Sequence, residues 1–160
     1  MVSPEQLRGC PFFGELDKSQ LKLVAAAASE IIVESNVILL EENQPAEDFY
    51  IVLDGCVDVF YAASGEPNDQ LLIAEIRSGE PFALSALVQP HTLAGTGRTR
   101  TRCHLLKIKG SELLALCRQD PRLGRALMRQ TAKSIMDRLH LTRVRLAALR
   151  AAAGPENTPA

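Results

Sequence analysis

The spacing of apolar residues changes twice along the chain. The changes divide it into a short helical opening, a strand-rich middle and a long helical end. Ser3-Pro4-Glu5 opens the first helix, with serine placed to cap free amides and proline where its missing N–H does no harm. Asp17 opens a second, followed by good helix formers to Ala28. From Ile31 the pattern is that of strands: Ile31–Val33, Val37–Leu40, Phe49–Leu53, Cys56–Tyr61 and Leu71–Ile76 are apolar or alternating runs parted by turn residues, and Arg98 to Lys109 alternates polar and apolar. Asp54-Gly55 predicts a hairpin, and in the run after it Val57, Val59 and Tyr61 share one face. Short strands at this spacing predict an antiparallel sandwich or barrel.

The period becomes helical again from Gly110, with Ser111 as the expected cap. Asp120-Pro121 starts a further helix expected to run to about Ala153. Its positions Met128, Ala132, Ile135, Leu139, Thr142, Leu146, Leu149 and Ala153 follow the alternating four-and-three spacing of a heptad seam, with Thr142 its one polar member. Such a helix spans about 50 Å at 1.5 Å per residue, more than a compact domain of this size needs. One end is therefore expected to protrude and meet a second copy, with Met128, Ile135, Leu139, Thr142, Leu146 and Leu149 at the interface. Expected boundaries are 1–118 for the strand-rich domain with its opening helices, 119–153 for the dimerisation helix and 154–160 for a flexible tail.

Composition narrows the class. The 160 residues are 46% hydrophobic and 23% charged, which is globular. No uncharged apolar run reaches the roughly 18 residues of a membrane span, and the start lacks the basic-then-apolar pattern of a signal peptide. A cytoplasmic protein with no membrane partner is expected. Cys10, Cys56, Cys103 and Cys117 have no metal-binding spacing, nor have His91, His104 and His140, so no metal and no enzymatic activity are expected. The formal net charge of −1 hides a split, with most acidic residues before position 91 and most basic ones after it. That split suggests complementarity within the molecule. A nucleic-acid partner is not expected, because the basic part holds no aromatic residue for base stacking.

Several segments, in this order, resemble the cyclic-nucleotide-binding domain of the CRP/FNR type. Leu7, Cys10-Pro11-Phe12-Phe13, Leu16 and Gln20-Leu21 are similar to the family's opening helices. Glu42 to Gly55 with Val57 and Val59 resembles the barrel centre, and Gly79-Glu80-Pro81-Phe82 with Ser85-Ala86-Leu87 resembles the entry to the phosphate-binding cassette. Arg138-Leu139-His140-Leu141-Thr142 resembles the part of the dimer helix that reaches the purine. The resemblance implies a mainly β fold with flanking helices: an antiparallel β jelly-roll barrel followed by a long C-terminal dimerisation helix.

It also implies a pocket, and the departures lie there. The family cassette reads approximately F-G-E-x-A-L and, further on, R-[ST]-A. Its Glu accepts from the ribose hydroxyl and its Arg neutralises the phosphate. Here Ala83 stands at the Gly position, Leu84 at the Glu position and Leu93 at the Arg position. Losing two charge-assisted hydrogen bonds, each about 1.5–3 kcal/mol, should weaken cyclic AMP or GMP by orders of magnitude. The ligand-binding candidates are Gly79, Phe82, Ala83, Leu84, Ser85, Ala86, Leu93 and Thr142, with a more apolar small molecule, or none, as occupant. Arg98, Arg100 and Arg102 are expected on one face of a strand, towards solvent or an acidic partner. The function expected is a homodimeric sensor domain in signal transduction. The alternative is the effector domain of a CRP/FNR-type transcription regulator, since the eight residues after Ala152 are too few for a helix-turn-helix.

Overall fold

Helices, then strands, then helices follow one another along the chain, as seen in a computed structural model that describes residues 1–66 and 68–154. Pro67 and the tail segment 155–160, expected to be flexible, lie outside the described residues. Helix α1 (Pro4–Arg8) is closed by a capping box in which the Ser3 hydroxyl accepts from the Gln6 N–H and the Gln6 side chain accepts from the Ser3 N–H. Asp17 and Gln20 repeat the device at α2 (Lys18–Ala27).

Among the described residues, eight strands form a jelly roll of two four-stranded antiparallel sheets. In the first, β1 (Ala28–Val33) pairs with β8 (Cys103–Lys109), β8 with β3 (Asp48–Asp54), and β3 with β6 (Pro81–Phe82). In the second, β2 (Ile38–Leu40) pairs with β7 (Thr96–Thr99), β7 with β4 (Cys56–Ala62), and β4 with β5 (Gln70–Arg77).

The first sheet is the middle layer of three. Along β3, Phe49 and Ile51 join the core under the helices, whereas Tyr50 and Val52 join the core between the sheets. Strand β8 divides the same way, with Leu106 and Ile108 on one side and Cys103 and Leu105 on the other. This two-sided burial explains why Phe49–Val52 is a continuous apolar run.

It also corrects the hairpin expectation. Asp54-Gly55 joins β3 to β4, but these strands lie in different sheets and do not pair. Gly55 is required all the same: its φ is +98°, and an added Cβ would sit 2.7 Å from the Arg102 carbonyl oxygen. The register between β4 and β5 shifts at Val59/Phe60, with Ile73 of β5 as the extra residue, so β4 keeps its alternation; Val57 is buried and Tyr61, near the strand's end, is exposed.

Helix α3 (Gly110–Gln119) starts one residue before its expected cap. Lys109 takes the cap position without a side-chain bond, and the Gly110 N–H donates to the Glu47 carbonyl (2.8 Å). Helix α4 (Pro121–Ala153) is capped by the Asp120 carboxylate, which accepts from the N–H groups of Arg122 and Leu123. Its first turns bury Leu123, Leu127 and Thr131 in the helical core beside Phe12 and Phe13. Residues 141–153 are exposed throughout. Met128, Leu139, Leu146 and Leu149 form an exposed apolar stripe.

Part of the charge split is met inside the chain. Arg100 pairs with Asp58 (2.7 Å) and Glu75 (2.8 Å), Arg102 with Glu34 (3.1 Å), Lys107 with Asp48 (3.0 Å) and Arg129 with Glu15 (3.2 Å).

Candidate functional site

The segment from Gly79 to Gly97 leaves β6, turns, and returns to β7 over the open end of the second sheet. Phe82 fixes its start by stacking on Tyr50, with ring centroids 5.0 Å apart. Burial and the neighbouring Asp48 push the Tyr50 phenol up to about 12, so it stays neutral in this stack. Ala83 then takes φ +56°, a left-handed conformation that normally favours glycine. A 3₁₀ turn follows at Leu84–Ala86, and His91 Nδ1 donates to the Ser85 carbonyl (3.0 Å) to hold it. Leu93 is pinned by reciprocal backbone bonds, its N–H to the Gln44 carbonyl and its carbonyl to the Asn43 N–H, each 2.9 Å.

These elements enclose a cleft of about 540 Å³, within the range of small-molecule sites. Phe82, Ala83, Leu84, Ser85, Leu93 and Thr142 are all brought to its lining. Leu84 and Leu93 are only 7% and 6% exposed, so the two positions expected to hold charge present hydrocarbon. Two candidates lie elsewhere. Gly79 sits in the turn before β6, at φ +87°, with its N–H donating to the Val52 carbonyl (2.8 Å), and does not line the cleft. Ala86 points into the core, where an added Cβ on Gly110 would lie 3.0 Å from its own; it is small because α3 begins against it.

Helix α4 closes one wall with Ile135, Arg138, Leu141, Thr142 and Arg145. Arg138 donates to the Pro81 carbonyl and Arg145 to the Ile73 carbonyl (2.9 Å), tying the helix to both sides of the cleft. Burial lowers the pKa of Arg138, countered in part by Glu80. Arg138 and Arg145 are the site residues that the heptad reading passed over. A second four-and-three stripe, Thr131, Ile135, Arg138, Thr142 and Arg145, runs beside the seam and marks them. Ile135 and Thr142, expected at the dimer seam, face the chain's own cleft in this stripe. The Thr142 hydroxyl donates to the Arg138 carbonyl (2.9 Å).

Arg98, Arg100 and Arg102 do not line the cleft and do not share one strand. The chain leaves β7 at Thr99 and enters β8 at Cys103, crossing between sheets in the interval. Arg98 lies over the Phe60 ring at 4.7 Å. Arg100 and Arg102 are held by carboxylates. Glu75 reaches the cleft wall, but Arg100 and Arg77 bind its carboxylate and lower its pKa. Glu80 accepts from the Arg77 N–H (2.6 Å).

The sequence model of the cyclic nucleotide-binding domain matches residues 30–120. No curated protein matches the chain significantly. Among solved structures, a protein of Geobacter metallireducens described as cyclic nucleotide-binding is 28% identical, over 88% of this chain and 100% of that one, with a TM-score of 0.78. The N-terminal domain of a transcriptional regulator from Streptomyces coelicolor is 25% identical, over 82% and 93%, with a TM-score of 0.66. The regulatory domain of Toxoplasma gondii PKA, solved with cAMP, is 25% identical over 71% of this chain and 42% of that one, with a TM-score of 0.63.

Proposed function

The chain belongs to the cyclic nucleotide-binding domain family, and from that premise we propose that it is a non-enzymatic, cytoplasmic sensor domain. It works as a homodimer through α4, and its cleft has lost the means to hold cyclic AMP or GMP tightly. One observation carries the reading. Leu84 and Leu93 line the cleft where the family resemblance calls for a ribose acceptor and a phosphate anchor, and residues 83–97 contain no Asp, Glu, Lys or Arg. A cyclic phosphate entering there would be desolvated against leucine.

The dimer rests on the exposed stripe of α4, where Leu139, Leu146 and Leu149 are 47%, 60% and 70% exposed. The same helix forms a wall of the cleft, so occupancy and dimer geometry share one rigid element. Thr142, between Leu139 and Leu146, stands where the two faces meet. A ligand moves that helix only by as much as it prefers one arrangement over another.

Calorimetric titration with cyclic AMP and cyclic GMP tests the reading. Dissociation constants weaker than about 100 µM are expected; micromolar binding of either nucleotide contradicts it. A second reading is favoured by the likeness to the Streptomyces regulator: an effector domain of a CRP/FNR-type transcription regulator, with the helix-turn-helix outside this chain.

A further inference from the structure

We infer that the cleft takes an amphipathic monocarboxylate, its acid group held by Arg138 and its apolar body against Leu84 and Leu93. The inference rests on the reading that this cleft is a ligand site, and it names the class of ligand.

The distribution of charge around the cleft carries it. The loop side carries no charge: Leu84, Val88 and Leu93 present hydrocarbon beside the neutral Ser85, Gln89 and Thr92, with Leu40 and Val59 beneath. The cations are both on the helix side, Arg138 and Arg145. A cyclic nucleotide needs the reverse, with its anion at the loop. Of the two carboxylates on the wall, Glu75 is neutralised by Arg100 and Arg77, and Glu80, the one near Arg138, already accepts from the Arg77 N–H, so two arginines face one partly engaged carboxylate. The balance is one positive charge above an apolar chamber, which suits one negative charge on an apolar molecule.

Arg138 is the anchor because of its place. It is half-buried, whereas Arg145 lies on the exposed part of the helix. Seven residues, about 10 Å along the helix, separate them, and Arg145 is turned to the Ile73 carbonyl (2.9 Å) on the other side of the cleft. The Arg138 guanidinium uses the Pro81 carbonyl as an acceptor. A guanidinium has five N–H donors in a planar fork that matches a carboxylate, so donors remain for a ligand. Thr142, one helical turn along on the same face, spends its hydroxyl proton on the Arg138 carbonyl, so the acid group is left to the guanidinium alone. A nucleotide would set its ribose hydroxyls and phosphate against leucine, whereas an alkyl or aryl body leaves no polar group unpaired there.

The test uses the full chain and two acids, octanoate and 3-(indol-3-yl)propanoate, each beside its neutral alcohol, octan-1-ol and 3-(indol-3-yl)propan-1-ol. Calorimetry should show at least one acid binding about tenfold or more tighter than its alcohol. Which acid binds distinguishes an aliphatic from an aromatic source. Arg138→Gln should remove the preference for acid while leaving alcohol binding in place. The acid–alcohol comparison in the wild type needs no variant, so it stands even if Arg138→Gln fails to fold. Equal binding of acid and alcohol, or binding of neither, overturns the inference. If cyclic AMP also binds more weakly than about 100 µM, the proposed function survives that failure; micromolar cyclic AMP with no acid binding overturns both.

Discussion

Gly110 is where the start of α3 meets the turn that lines the cleft, and Gly110→Ala tests how rigidly that turn is set. An added Cβ would lie 2.5 Å from the Ala86 carbonyl oxygen and 3.0 Å from the Ala86 Cβ. Ordinary contacts begin near 3.5 Å. The nearest atom is backbone, so no rotamer change relieves the clash. Nor can Gly110 retreat easily, because its N–H is bonded to the Glu47 carbonyl at 2.8 Å. Overpacking of this kind costs about 1–3 kcal/mol, and the backbone contact puts it near the upper end. The better helix propensity of alanine returns at most about 1 kcal/mol. A net loss of about 2 kcal/mol should lower Tm by about 4–8 °C in a domain of this size. Thermal melting by circular dichroism reads it directly. An unchanged or higher Tm would show that Ala86 moves freely, and that the turn carrying Leu84 and Ser85 is not braced by α3.

Further outcomes follow from the same geometry. Leu139→Glu places a charge on the exposed stripe of α4 in both copies of a dimer, and should weaken association by about 3 kcal/mol, roughly a hundredfold. Light scattering should show a dimer for wild type and a monomer for the variant at equal concentration; two monomers would remove the seam from the account. At acid pH, Asp120 accepts from the Gln20 side chain and from the Leu123 and Arg122 N–H groups, which hold its pKa below the ordinary 3.8. Asp17 is lowered chiefly by the Gln20 and Ser19 bonds. Stabilisation from a lowered carboxylate is complete above its unfolded pKa and is lost as pH falls through the folded one, so it fades below about pH 4. Asp120→Asn presents an NH2 where Gln20 needs an acceptor, so it should melt below wild type at pH 7, with the gap closing as pH falls below about 4; parallel pH–Tm curves would refute the role of Asp120.

Much of this architecture was legible because local signals and tertiary demands agree. The caps at Ser3, Asp17 and Asp120 satisfy orphan amides wherever the helices pack. The long α4 follows from its period and its cap. Asp54-Gly55 misled because a left-handed glycine serves a sheet-to-sheet crossing as well as a hairpin. Partner choice was settled by the two-faced burial of Phe49–Val52, which a turn dipeptide does not report. The arginine run 98–102 misled in a similar way, because nothing local shows that the chain changes sheets at Arg100. In the cleft, the segment 82–85 and Leu93 could be placed by resemblance. Arg138 falls in the helix segment marked by resemblance, but its hold on the Pro81 carbonyl leaves no trace in the sequence. Ala86 was assigned to the ligand because it falls in the motif, yet its small size answers to Gly110 on the opposite side.

The central claim is that Leu84 and Leu93 are what separate this cleft from a cyclic nucleotide site. Calorimetry with cyclic AMP on wild type and on Leu84→Glu/Leu93→Arg measures it most directly. Two charge-assisted bonds at about 1.5–3 kcal/mol each should tighten binding in the double variant by about a hundredfold or more, from a wild type weaker than about 100 µM. Micromolar binding by the wild type, or equal affinity in the two proteins, would contradict the account.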